Sequence, residues 1–164
     1  MTRRLKMNTR ECKGFSVLEI ILAVGIFVVM VSGMVIAVLS GMETNRLGQE
    51  ETVATEYTTE GIEAARSIRN LNFSALNDTS GTGIDQVSGV WSFSGNENVL
   101  DGKYTRVISI ESVRRDGSGN IVESGGGIDP DTKKVTVTTS WAISSSRYDS
   151  VVLMTYLTNW KAPI

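Results

Sequence analysis

The chain has 164 residues, enough for a long helix and one modest globular domain, and it contains no histidine and one cysteine. Lacking histidine, it lacks the commonest general base and the commonest transition-metal ligand, which argues against an enzyme and against a bound metal or other cofactor. The formal net charge of −2 gives no reason to expect a basic face for nucleic acid.

The segment Met1 to Gly14 is short and basic, with Arg3, Arg4, Lys6, Arg10 and Lys13 against one acid, Glu11. From Phe15 the chain turns apolar, and Ile20 to Met42 holds 23 residues without a charge. At the helical rise such a run covers ~34 Å, close to the ~30 Å hydrocarbon core of a bilayer, so residues 15–42 are expected to span a membrane as a helix. The basic side stays cytoplasmic by the positive-inside rule, placing everything after Met42 outside. Within the apolar start stands one carboxylate, Glu19. An acid costs on the order of 2 to 3 kcal/mol at mid-bilayer and less near an end, so Glu19 needs an interfacial position or a partner charge. Cys12 precedes the apolar segment rather than following it and reads as an ordinary leader thiol. Were residues 1–14 removed, the remainder would have no cysteine, no disulfide and a net charge of −6.

The run Lys13-Gly14-Phe15-Ser16-Val17-Leu18-Glu19-Ile20-Ile21-Leu22 resembles the processing signal of type IV pilins and of type II secretion pseudopilins. The resemblance covers about Lys13 to Met42. It implies cleavage between Gly14 and Phe15 by a prepilin peptidase/methyltransferase, N-methylation of Phe15, and assembly through Glu19, which would pair with the amino terminus of a neighbouring subunit. The chemistry is consistent, because an α-amino group with a pKa of about 7.7 to 8.0 is largely cationic at neutral pH and methylation keeps its charge. In an apolar core two such charges compensate each other's desolvation, whereas either alone is stranded.

The partners implied are other pilin subunits in a helical filament, an inner-membrane assembly machinery with its motor ATPase, and membrane lipid before assembly. The final location would be an extracellular pilus or a periplasmic pseudopilus. Major pilins of the family commonly carry a proline in the apolar helix, and this chain has none there. Glu60 to Asn70 also resembles the corresponding helix of accessory subunits, so a minor pilin is the expected member and a secretion pseudopilin the alternative. Two readings stand outside the family. One is a secretory signal ending near Ser40-Gly41, whose apolar region normally runs only 7 to 15 residues. The other is an uncleaved anchor for an external binding domain.

After Met42 the pattern becomes one-sided. Leu47, Ala54, Gly61 and Ile68 recur every seven residues, with Tyr57, Ala64 and Leu71 beside them, which predicts an amphipathic helix over 43–71. Glu50, Glu51, Glu56, Glu60, Glu63, Arg66 and Arg69 fall on the other face, and Glu63 is placed to pair with Arg66. No proline interrupts Phe15 to Leu71, so one continuous helix is expected. Glycines 25, 33, 41, 48 and 61 are its weak points.

Residues 72–89 are rich in Asn, Ser, Thr, Gly and Asp and predict a surface loop. Four strand-like runs follow: Val90 to Phe93, Tyr104 to Val113, Val135 to Ile143 and Val151 to Trp160. The expected fold class is α+β, a long N-terminal helix packed on a C-terminal antiparallel sheet as in type IV pilins, with an external domain over 72–164. Turns are expected at Asp116 to Asn120 and at Asp129-Pro130-Asp131, and Gly125 to Gly127 reads as a mobile stretch.

Asp116, Ser118, Asn120 and Glu123 alternate oxygen donors, but the glutamate comes too early for a twelve-residue calcium loop. These residues, with Asp129 and Asp131, read first as turns. Of Trp91, Trp141 and Trp160, one or two belong to a core and Trp160 is expected to be exposed. The sequons at Asn72 and Asn77 are short enough to arise by chance.

Overall fold

The computed structural model describes residues 14–161, so Met1 to Lys13 of the expected leader, with Cys12, lie outside the described residues. Helix α1 runs unbroken over Val17–Leu71. The Ser16 carbonyl opens it, accepting from the amides of Glu19 at 3.0 Å and Ile20 at 3.2 Å. The chain forms two compact units, dividing after Asn45.

The first unit is the apolar part of α1, and none of its described side chains is buried. Two of its hydroxyls bond within the helix: Ser32 Oγ donates to the Val28 carbonyl at 2.8 Å and Thr44 Oγ1 to the Ser40 carbonyl at 3.0 Å. Such bonding lets polar residues sit in apolar surroundings.

The second unit sets residues 46–71 of α1 against an antiparallel sheet of seven strands, β1 (Thr79–Val87), β2 (Val90–Ser94), β3 (Asn98–Leu100), β4 (Tyr104–Arg115), β5 (Ile121–Val122), β6 (Gly127–Ser144) and β7 (Arg147–Thr158). The order is β2-β1-β4-β6-β7, with β3 and β5 also on β4. This is the expected α+β arrangement. β2, β4, β6 and β7 occupy the four anticipated runs.

Three expectations need correction. Residues 72–89 are not simply a loop; they hold a single 3₁₀ turn, Phe73–Ala75, and then β1. Its small residues are what this strand requires, since a Cβ on Gly83 would lie 2.7 Å from the carbonyl oxygens of both Ser94 and Glu97. β1 turns into β2 through Ser88 and Gly89, both at positive φ, the signature of a tight hairpin turn. Second, Asp129-Pro130-Asp131 lies inside β6. The register steps from Ser112↔Lys133 to Val113↔Asp129, so Pro130 falls in a bulge where it needs no N–H to reach β4. Third, Gly127, expected within a mobile stretch, begins β6 and pairs with Arg115.

The buried stripe of α1 is Ala54, Thr58, Gly61, Ile62, Ala65 and Ile68, together with Ala64. Leu71, which the heptad pattern places on this face, is 65% exposed because the helix ends there. Small residues face the inward row of β6 in turn. Ala54 clusters with Trp141, Thr58 Oγ1 lies 2.8 Å from Thr139 Oγ1, and Gly61 meets Val137. Ile62, Ile68, Ile108, Ile110, Val135 and Leu157 fill the space between helix and sheet.

A Cβ added at Gly61 would approach Val137 Cγ1 to 2.8 Å, and Val137 is fully buried. Gly61→Ala should therefore lower the melting temperature even though alanine favours a helix by ~1 kcal/mol, because overpacking costs about 1 to 3 kcal/mol. Gly48→Ala, where an added Cβ meets nothing within 4 Å, should raise it. Thermal unfolding of the two variants reads these opposite signs.

Candidate functional site

The sequence singles out Gly14, Phe15 and Glu19, and the fold places them at the start of α1. Gly14 and Phe15 precede the first helical residue, are exposed, and lie outside regular secondary structure. Phe15 is 80% exposed. Glu19 falls in the first helical turn, where unpaired amides favour a negative group. Among the described residues none forms an ion pair with it. Every large apolar side chain from Phe15 to Met42 is exposed, Val31 least at 42%. The helix is long and apolar enough to cross a membrane once. This surface needs lipid or other apolar helices around it, because the described residues supply no cover for it.

Two charged residues of the second unit, Glu50 and Arg106, are buried and act within the fold. Glu50, only 11% exposed at its side chain, receives Arg46 Nη1 and Lys103 Nζ, each at 2.6 Å. Lys103 chiefly, and Arg46 with it, hold the Glu50 carboxyl below its ordinary range against the opposing effect of burial. Arg106 is buried on β4 between Tyr104 and Ile108. Its guanidinium donates to the Tyr57 carbonyl and to Glu60 Oε2 at 3.0 Å, and to Asn98 Oδ1 at 3.2 Å. Asn98 in turn bonds the Ile84 amide and carbonyl, both at 2.9 Å, so one side-chain chain links α1, β4, β3 and β1. Sequence reasoning missed Glu50 and Arg106 as buried groups. The signal for Arg106 was present: strand alternation puts it on the same face as Tyr104, Ile108 and Ile110.

The turns weighed as calcium sites use their oxygens internally. Asp116 Oδ1 accepts from the amides of Ser118 at 2.9 Å and Asn120 at 2.8 Å, and Oδ2 from the Asn120 side chain at 3.1 Å. Asp129 takes Arg115 Nε at 2.6 Å and the Asp131 amide at 2.9 Å, while Asp131 takes the Asn159 side chain at 3.0 Å. Among the described residues no three metal-binding side chains converge. Trp141 is a core residue, Trp91 packs against the main core half-buried, and Trp160 is 63% exposed. Glu63 pairs with Arg66 as its spacing suggests, at 2.6 Å. Asn72 caps the 3₁₀ turn through the Ser74 amide, and Asn77 is exposed.

No family model, curated protein or solved structure matches the chain. Fold and surface alone therefore define its class, an α+β protein whose single long helix has an apolar, uncovered first part.

Because the folded pKa of Glu50 lies below the unfolded one, its contribution to stability is present above about pH 4.5 and fades as the pH falls through the lowered native value. Glu50→Gln should lower stability at pH 7 and flatten the loss on acidification. Urea midpoints at pH 7 and in the acid range measure both effects.

Proposed function

We propose that the chain is a prepilin-like structural subunit, exported with its leader in the cytoplasm, cut between Gly14 and Phe15, methylated on Phe15 and assembled into a type IV pilus as a minor pilin. The observation that carries this reading is the pairing of an exposed apolar first part of α1 with one acid in its first turn, shortly after an exposed Gly14-Phe15 bond.

Before assembly residues 15–42 lie in lipid with the second unit outside the cytoplasmic membrane. In the fibre neighbouring helices replace the lipid. Apolar surface is covered in both states, so the transfer exposes none of it to water. The charge of Glu19 is then met by the methylated amino terminus of an adjoining subunit, which compensates the desolvation of both groups. The partners are the prepilin peptidase/methyltransferase, the inner-membrane machinery and other pilin subunits.

Mass spectrometry of native protein should find methyl-Phe15 at the amino terminus. An intact Met1 would instead identify a membrane-anchored binding protein, and a start near Met42 a secreted one. Glu19→Ala should leave cleavage largely intact and reduce incorporation into filaments; undiminished incorporation would remove the pairing role. Whether the fibre is a pilus or a secretion pseudopilus follows from the location of the labelled chain, outside the cell or in the periplasm.

A further inference from the structure

Where α1 ends, a cleft of about 410 Å³ opens between Ile68 and Leu71 of the helix, Ala75 of the 3₁₀ turn, and Trp91 and Phe93 of β2. It adjoins a second hollow of about 290 Å³, since Ala75, Asn77 and Phe93 belong to the walls of both; Thr79, Thr82 and Asn96 line the second. Together they make one groove inside the second unit, and the first hollow alone has the volume of a small-molecule site.

No wall residue of either hollow is charged. Two other clefts of this unit differ in that respect: Glu111 and Arg114 line both, with Asp78 in one and Glu123 and Lys134 in the other. A phosphate, carboxylate or ammonium ligand would enter the uncharged groove without a counter-charge. A wholly apolar ligand would cover amides that need partners. Among the described residues the side chains of Asn77 and Asn96 make no hydrogen bond, and Asn72 uses only its Oδ1, accepting from the Ser74 amide at 3.0 Å. The hydroxyls of Thr79 and Thr82, by contrast, are engaged by the carbonyls of Gly81, Gly83 and Gly95. Trp91 and Phe93 are two residues apart on β2, so both rings stand on one face of the strand, half-buried against the core.

We propose that this groove binds a neutral oligosaccharide. A sugar ring meets both of its demands. The C–H face of the ring is apolar and packs on an aromatic side chain, whose negative π-face attracts the weakly positive hydrogens. The hydroxyls around its rim donate and accept, as a carboxamide does with two N–H donors and one acceptor oxygen. Trp91 and Phe93 supply the stacking surface, Asn72 and Asn77 the polar rim of the first hollow, and Asn96 serves the next sugar in the adjoining one. The three asparagines are exposed, so hydroxyls replace water there and stacking on the rings supplies most of the binding. Every wall belongs to the second unit, so the site is independent of the filament reading and would serve a fibre subunit or an anchored binding protein alike.

The test titrates the full chain, held in a detergent without a sugar headgroup, with the neutral tetrasaccharides of glucose, mannose, galactose and N-acetylglucosamine, read by calorimetry. Tetragalacturonate and a blocked tetra-alanine peptide serve as the anionic and the peptide probe. At least one neutral tetrasaccharide should bind saturably, one per chain, and both comparison probes about tenfold or more weaker. Asn77→Ala and Asn96→Ala together should weaken it about tenfold, the worth of two hydrogen bonds, with the melting temperature unchanged because neither side chain bonds within the fold. Trp91→Phe, which keeps a ring packed on the core, should weaken it several-fold and gives a second reading that does not depend on the asparagines. Absence of saturable binding by all four sugars, wild-type affinity in both variants, or equal binding of tetragalacturonate or the peptide would overturn the proposal. None of these outcomes touches the filament reading, which the mass of the amino terminus and the Glu19→Ala variant decide separately.

Discussion

Close approach of helix and sheet is the constraint on which the globular unit depends. Ala54, Thr58, Gly61 and Ala65 keep one face of α1 nearly flat, and the inward row of β6, Val135, Val137, Thr139 and Trp141, fits against it. The match alternates in size, with the smallest helical residue opposite a β-branched side chain and alanine opposite the largest ring. Interiors packed this tightly tolerate little change of volume. At the flanks, Arg106 and Glu50 bring charges into the same interface, each kept there by partners that satisfy most of what burial removes.

The same helix meets a different requirement in its first part. Residues 15–42 are apolar on all sides and uncovered, so the sheet cannot be what stabilises them. A helix apolar all round is stable only where its surroundings are apolar as well. Lipid and a bundle of like helices both meet that condition, which makes the membrane-to-fibre reading physically coherent. Glu19 is the one feature that distinguishes the two environments. Lipid offers an interfacial position, and a fibre offers a counter-charge.

Much of the fold was legible in the residues. The span of α1 followed from an uninterrupted helical pattern without proline, and β4 and the later part of β6 from strict alternation, with Val135, Val137 and Trp141 inward as expected. β1 was hidden because Thr, Ser and Gly usually mark loops, whereas here they serve a strand wedged close to the backbone of Ser94 and Glu97. Asp129-Pro130-Asp131 looked like a turn because composition alone does not register a bulge. Gly14, Phe15 and Glu19 stand out in the sequence, as candidates for the proposed processing and assembly, because their spacing is local in the chain. Glu50, Arg106 and the Trp91 cleft were not, since their partners are distant in sequence.

The sequence by itself determined the long helix, its apolar first part, the solitary acid at its start and the α+β class, because each follows from periodicity or from neighbours along the chain. Only the tertiary structure decided that residues 79–87 form a strand and that Arg106 and Glu50 are held inside. Those outcomes depend on contacts between residues tens of positions apart, whose energies no local pattern encodes.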